Sequence, residues 1–243
     1  MTQRLLIAII SCHTRMSYVQ AQRETWIPRI PFGVDYKVFL GPSDRNPLSD
    51  EVFLQCDDSY QGLPSKVRAV MAWAYDQGYD YVAKCDDDVI LNPSEFLHSG
   101  YQHHDFNGHT NNDKASVKIP WGFLYTLSRK SMEIMENAQL PHDFNDEAWC
   151  ANTLAQHGIL LHHEPRYVLH RGKRSDFIVP AKRPLRAPPR VNLSHLGVAD
   201  PMNGIAYCVF LHWFGYHATP DAVNIKEYHK LYKETQTQSI PHA

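Results

Sequence analysis

"YVAKCDDDVILNP", residues 81–93, runs an apolar, strand-like stretch straight into three consecutive aspartates. Asp86, Asp87 and Asp88 repel one another, so folding alone gives no reason to gather them where a strand ends. Two readings compete: a solvated acidic turn, or a site whose charge a cation neutralises. A D-x-D at the end of a buried strand suits a divalent cation held by few protein ligands, with phosphate oxygens completing its shell.

The residues before the triplet set the fold class. "RLLIAIISC" (4–12) is an unbroken aliphatic run, the pattern of a strand covered on both faces. "YKVFLG" (36–41) and "VFLQCD" (52–57) read as further short strands. Between them and the triplet, Leu63, Val67, Val70, Met71 and Ala74 recur at helical spacing, with Pro64 near the start and Gly78 at a C-cap position. Strand and helix alternate, which predicts an α/β domain with a largely parallel sheet and helices on its faces. Ligands of such sheets bind beyond the carboxyl ends of the strands, where the triplet lies.

Downstream, the polar stretch 98–116 reads as a loop, and 128–138 and 146–158 as helices. A strand-like run (206–217) leads into a terminal helix around 220–235. The chain of 243 residues carries a net charge of only −2, yet residues 171–190 hold seven basic residues against one acidic, Asp176. This Pro-broken basic arm continues neither a helix nor a central strand. Five cysteines without a C-x-x-C pair read as free thiols, favouring a reducing compartment. "LLIAII" is too short to span a membrane. These features together predict a soluble, cytoplasmic protein.

Several ordered motifs carry a resemblance. "AQRETW" (21–26), "VFLG" (38–41), "DDSYQGLPSK" (57–66) and "YVAKCDDD" (81–88) follow the succession of the β-1,3-galactosyltransferase and Fringe-type enzymes, glycosyltransferase family 31. Arg23, Trp26, Gly41, Asp58, Tyr60, Leu63, Lys66, Lys84 and the three aspartates match, while Gly62 replaces the usual Asn. The resemblance implies a single GT-A, Rossmann-like domain, with a nucleotide-sugar half (1–93) and an acceptor half (94–243). It also implies a UDP-sugar donor, Mn²⁺ or Mg²⁺, and inversion at the transferred sugar.

Carried over by position, Asp88 is the metal ligand, with Asp86 and Asp87 near the ribose and the metal, and Lys84 beside the nucleotide. Ser11, Thr14 and Arg15 fall where the family meets uracil, and Lys66 joins the donor-binding candidates. Arg23 and Trp26 suit helix packing as well as direct contact. "PWGFLYTLS" (120–128) resembles the family's small-residue strand, with Gly122 kept but Phe123 and Leu124 bulkier than usual. Asp146 and Glu147 fit the acidic pair opening a helix, which makes Glu147 the catalytic base, although a helix N-terminus favours acidic residues anyway. Of the fifteen histidines, "FGYHATPDAV" (214–223) nominates His217 as a further metal ligand, with His212 in reserve.

The acceptor stays open. The basic arm 171–190 fits a phosphate backbone and hence a hydroxymethylated DNA base; a glycan or protein hydroxyl is the other expectation. A metal-dependent nuclease or phosphotransferase, and a non-catalytic nucleotide-sugar-binding module, are the competing function classes.

Overall fold

β1 (Leu5–Ile10) is the central strand, and all six of its residues are buried. Side chains alternate across a strand. Leu5, Ile7 and Ile9 therefore enter one apolar layer, and Leu6, Ala8 and Ile10 the other. The computed structural model describes residues 3–110, 114–164, 167–170 and 206–209.

β2 (Asp35–Leu40) and β3 (Glu51–Phe53) continue the sheet on one side of β1, and β4 (Tyr81–Asp86) lies on the other, all parallel. Beyond β4 the sheet becomes mixed. β6 (Phe106–Gly108) and β4 both pair antiparallel with β7 (Leu124–Ser128), and β8 (His162–His163) runs parallel to β6. The order is β3-β2-β1-β4-β7-β6-β8. A small second sheet sets β5 (Val89–Leu91), directly after the triplet, beside β10 (Ala206–Val209) and β9 (Tyr167–His170).

α1 (Met16–Glu24) covers one face of the large sheet, placing Tyr18, Val19 and Ala21 in the layer that also holds Trp26. α2 (Leu63–Asp76) covers the other, with Val67, Val70, Met71 and Ala74 fully buried at the spacing of one helical stripe. Each of the larger of these side chains contributes about 1.5–3 kcal/mol by leaving water. Gly78, at φ 76°, follows the end of this helix in the left-handed conformation that glycine adopts without strain. α3 (Pro93–Leu97) follows β5. α4 (Arg129–Glu136) and α5 (Asp146–Gln156) pack beside α2 and are capped by Ser128 and Asn145.

The structure corrects the sequence reading in one place: the stretch 98–116 is not all loop. Phe106 and Asn107 are buried and pair with β7, but three residues are too short to display an alternating pattern. Cys12, Cys56, Cys85 and Cys150 are free thiols. No helix among the described residues is long and apolar enough to cross a membrane. The arm 171–190, the terminal helix expected at 220–235, His212 and His217 lie outside the described residues.

Trp26 and Arg23 are both taken up in contacts within the protein. Trp26 is fully buried and its Nε1 donates to Val89 O at 3.0 Å. Arg23 forks onto Asp50 at 2.8 Å and reaches Glu51 at 3.1 Å. Glu51 is buried and also takes Arg45 at 2.6 Å and the Leu48 N–H at 3.0 Å. Burial alone would raise its pKa, but the hydrogen bonds from Arg45, Leu48 and Arg23 prevail and hold it at about 2, against an ordinary 4.5. A depressed carboxylate contributes stability that is present above its unfolded pKa and lost as pH falls through the folded one. Glu51 should therefore account for about 3 kcal/mol of stability lost on acidification from mildly acidic pH. Urea unfolding against pH should show a flatter acid limb in Glu51→Gln; an unchanged limb would remove Glu51 from this role.

Candidate active site

The register of β1 against β4 pairs Ile10 with Asp86. The next residues of both strands emerge together at the carboxyl edge of the sheet, and Ser11 Oγ donates to Asp87 Oδ2 at 2.7 Å. Arg15, in the short turn after β1, forks onto Asp87 with Nε at 2.9 Å from Oδ2 and Nη2 at 2.5 Å from Oδ1. Its guanidinium also lies over the Tyr18 ring, at 4.3 Å. Asp87, only 3% exposed, is thus held by two of the residues expected at uracil, Ser11 and Arg15. Thr14 of the same turn is exposed, 3.2 Å from Cys12 Sγ.

The aspartates on either side of Asp87 are more open. Asp88 is partly buried, 3.4 Å from Arg15 Nη2. Burial, then the charges of Asp87 and Asp86, raise its pKa to about 7 against the opposing pull of Arg15. The triplet is therefore short of positive charge. From behind, Gln22 Nε2 donates to Asp86 O and Val89 O, both at 3.0 Å, so α1 fixes the backbone of the turn. Gln22 is fully buried inside a polar-looking helix segment, and only its position before the matched Arg23 hinted at it.

Lys84 lies inside the protein, 1% exposed, rather than open to a nucleotide. Its Nζ sits 2.6 Å from Asp86, 2.5 Å from Gly122 O and 3.8 Å from Asp146. Burial would lower its pKa, but Asp86, Asp146 and Glu147 together raise it, so it stays a cation. Lys66 is likewise buried; it pairs with Asp58 and donates to Ser11 O at 2.7 Å. Asp58 also accepts the N–H groups of Gly41 at 2.8 Å and His13 at 3.2 Å. Lys66 and Asp58 thus fasten the loops after β1 and β2 to the start of α2. A Cβ at Gly41 would stand 2.5 Å from that of Asp58.

Asp146 and Glu147 open α5. Asp146 is 1% exposed, receives Tyr125 Oη at 3.4 Å, and leaves Oδ1 without a hydrogen-bond partner. Burial, then Glu147 and Asp86, push its pKa up to about 7 although Lys84 pulls it down. Glu147 lies against Gly122, where a Cβ would fall 1.7 Å from Glu147 Oε1. Gly122→Ala should therefore swing the Glu147 carboxylate away at little cost to folding. With Glu147 as the base that the sequence nominates, a shift of that order is expected to lower turnover about 10²-fold. Steady-state rates beside a melting curve check this, and full activity would show that the carboxylate position does not matter.

Among the described residues no group of three His, Cys, Asp or Glu side chains is placed to hold a metal ion. Asp86 and Asp88 nevertheless offer the hard oxygen donors that Mg²⁺ or Mn²⁺ prefers. Next to burial, the mutual repulsion of Asp86, Asp87 and Asp88 raises the Asp88 pKa, and it gives such a cation a reason to bind.

No family model and no curated protein matches the chain. Solved structures do. A protein assigned as a nucleotide-diphospho-sugar transferase from Desulfovibrio desulfuricans G20 aligns with TM-score 0.46 and 15% identity, over 67% of this chain and 80% of that one. That likeness is too loose to carry an argument. The apo-form glycosyltransferase GlyE of Streptococcus pneumoniae TIGR4 aligns with TM-score 0.53 and 10% identity over 99% of this chain. The present chain covers 64% of that protein's length. A mostly parallel mixed sheet flanked by helices gives this chain a GT-A-like fold, which it shares with that glycosyltransferase.

Proposed function

We propose that the protein is a divalent-cation-dependent inverting glycosyltransferase that moves a sugar from a UDP-sugar to an acceptor hydroxyl. The observation that carries this reading is Lys84 Nζ lying between Asp86 and Asp146. One buried cation joins the acidic triplet to the acidic pair sixty residues later in the chain, at the edge of the sheet where such folds take ligands.

In this reading Asp88 and Asp86 hold Mg²⁺ or Mn²⁺, with His217 as the further ligand. When bound, the cation supplies Lewis-acid stabilisation to the departing diphosphate. Glu147 accepts the proton of the acceptor hydroxyl as that oxygen bonds to the anomeric carbon. The carbon–phosphate-oxygen bond breaks, and its electron pair leaves with UDP. Asp146, with a pKa near 7, is the second candidate for the proton, since a base works best near its own pKa. Arg15, Ser11 and Thr14 line the donor side. The finer assignment, to the β-1,3-galactosyltransferase and Fringe-type enzymes, rests on the ordered motifs from Arg23 to Asp88.

A two-metal nuclease needs a second carboxylate cluster free to take a cation, whereas the Asp146 carboxylate already faces the buried ammonium of Lys84. Release of UDP from a panel of UDP-sugars, with Mn²⁺ and then with EDTA, separates the transferase from a nuclease and from a binding module. Release abolished by EDTA is expected. Release indifferent to EDTA would remove the cation from the reading. Binding with no release in the presence of acceptors would leave only the module.

A further inference from the structure

Tyr60 and Phe144 are large aromatic side chains left 64% and 50% exposed. They come from loops far apart in sequence, yet their ring centroids are 5.3 Å apart at an interplanar angle of 48°. Each loop ends in the candidate active site. Tyr60 precedes α2, beside the turn that Asp57 makes with Ser59. Phe144 precedes the Asn145 cap of α5, and its carbonyl accepts Asp146 N–H at 3.1 Å. The two rings therefore form an exposed apolar shelf beside the carboxylate that would take the acceptor's proton.

The surrounding charge selects what can rest there. Burial, then the negative charges of Glu147, Asp146 and Asp86, raise the pKa of the Tyr60 phenol, so those carboxylates act on the shelf. Asp57 adds an exposed carboxylate in the same loop. A phosphodiester backbone would approach against that field. A neutral sugar would not. Its C–H face suits the electron-rich face of an aromatic ring, and its hydroxyls donate to carboxylates.

Resting on the transferase reading, we infer that Tyr60 and Phe144 form the acceptor platform. The apolar face of a neutral pyranose lies on the ring pair and presents one hydroxyl to Glu147. That hydroxyl loses its proton to the carboxylate and bonds to the donor's anomeric carbon, while UDP leaves with the bond's electron pair. The acceptor is then a glycan.

Saturation-transfer NMR without donor tests the platform. The probes are methyl β-D-galactopyranoside, methyl β-D-glucopyranoside, a serine-containing peptide and a duplex carrying hydroxymethylcytosine. At least one glycoside should receive saturation on one face of its ring. Tyr60→Ala combined with Phe144→Ala should weaken its binding about tenfold or more, and Tyr60→Phe should retain it. Both side chains are half exposed or more, so the melting temperature should hold, and UDP binding with Mn²⁺ should not change. Glycoside binding equal in wild type and double variant overturns the inference. So does absence of glycoside binding, or loss of the peptide or the duplex instead. Failure of UDP to bind while the glycoside still needs the ring pair removes the transferase reading and leaves the sugar site standing.

Discussion

Glu147→Gln is expected to bind UDP-sugar as wild type does and to transfer it about 10²- to 10⁴-fold more slowly. The amide keeps the shape that fits against Gly122 but cannot accept a proton. Its loss also relieves Asp146 of one of the charges that raise its pKa. If Asp146 takes over, the base limb of the residual activity should therefore lie below about 7. Pre-steady-state transfer measured beside calorimetric donor binding decides the matter. A fall of less than about tenfold would move the base assignment to Asp146.

Asp88→Asn should act in opposite directions on stability and function. In the cation-free protein Asp88 has a raised pKa. Its contribution to stability is therefore full below the unfolded pKa and lost as pH rises through about 7. At pH above that value the neutral side chain should raise the melting temperature in EDTA. It should also abolish the gain that Mn²⁺ and UDP together give the wild type, since ligands stabilise only the state that binds them. Thermal unfolding in EDTA, in Mn²⁺, and in Mn²⁺ with UDP tests both halves. An undiminished Mn²⁺-dependent gain in the variant would take Asp88 out of the cation site.

Much of the fold around the triplet was legible because local pattern and tertiary demand coincide there. A doubly covered strand must be aliphatic throughout, and β1 is. The stripe from Val67 to Ala74 and the glycine at 78 mark α2 by spacing and by backbone freedom. The acidic triplet stood out because nothing in a strand end asks for it.

What stayed hidden depends on partners distant in sequence. Lys84 and Lys66 look like ligand-binding cations, yet each is buried against carboxylates that no spacing rule connects to it. Asp87 looks like its neighbours, yet the register of β1 on β4 gives it to Ser11 and Arg15. Gln22 is fully buried, held against backbone that lies far along the chain at Asp86 and Val89. The exposed meeting of Tyr60 with Phe144 joins loops that the sequence separates by three helices and four strands.

The parallel pairing of β1 with β4 also bears on how the site comes into being. Ser11 and Asp87 are 76 residues apart along the chain, and that loop must close before any contact between them is made. Closure entropy makes such non-local parallel contacts slow to form. The helices α1 and α2 lie between the two strands and can gather locally first. The triplet is then expected to meet Arg15 and Ser11 only when β4 docks. Substitutions at that junction should accordingly speed unfolding and leave refolding little changed, so the carboxylate edge governs how long the native protein lasts rather than how fast it is reached.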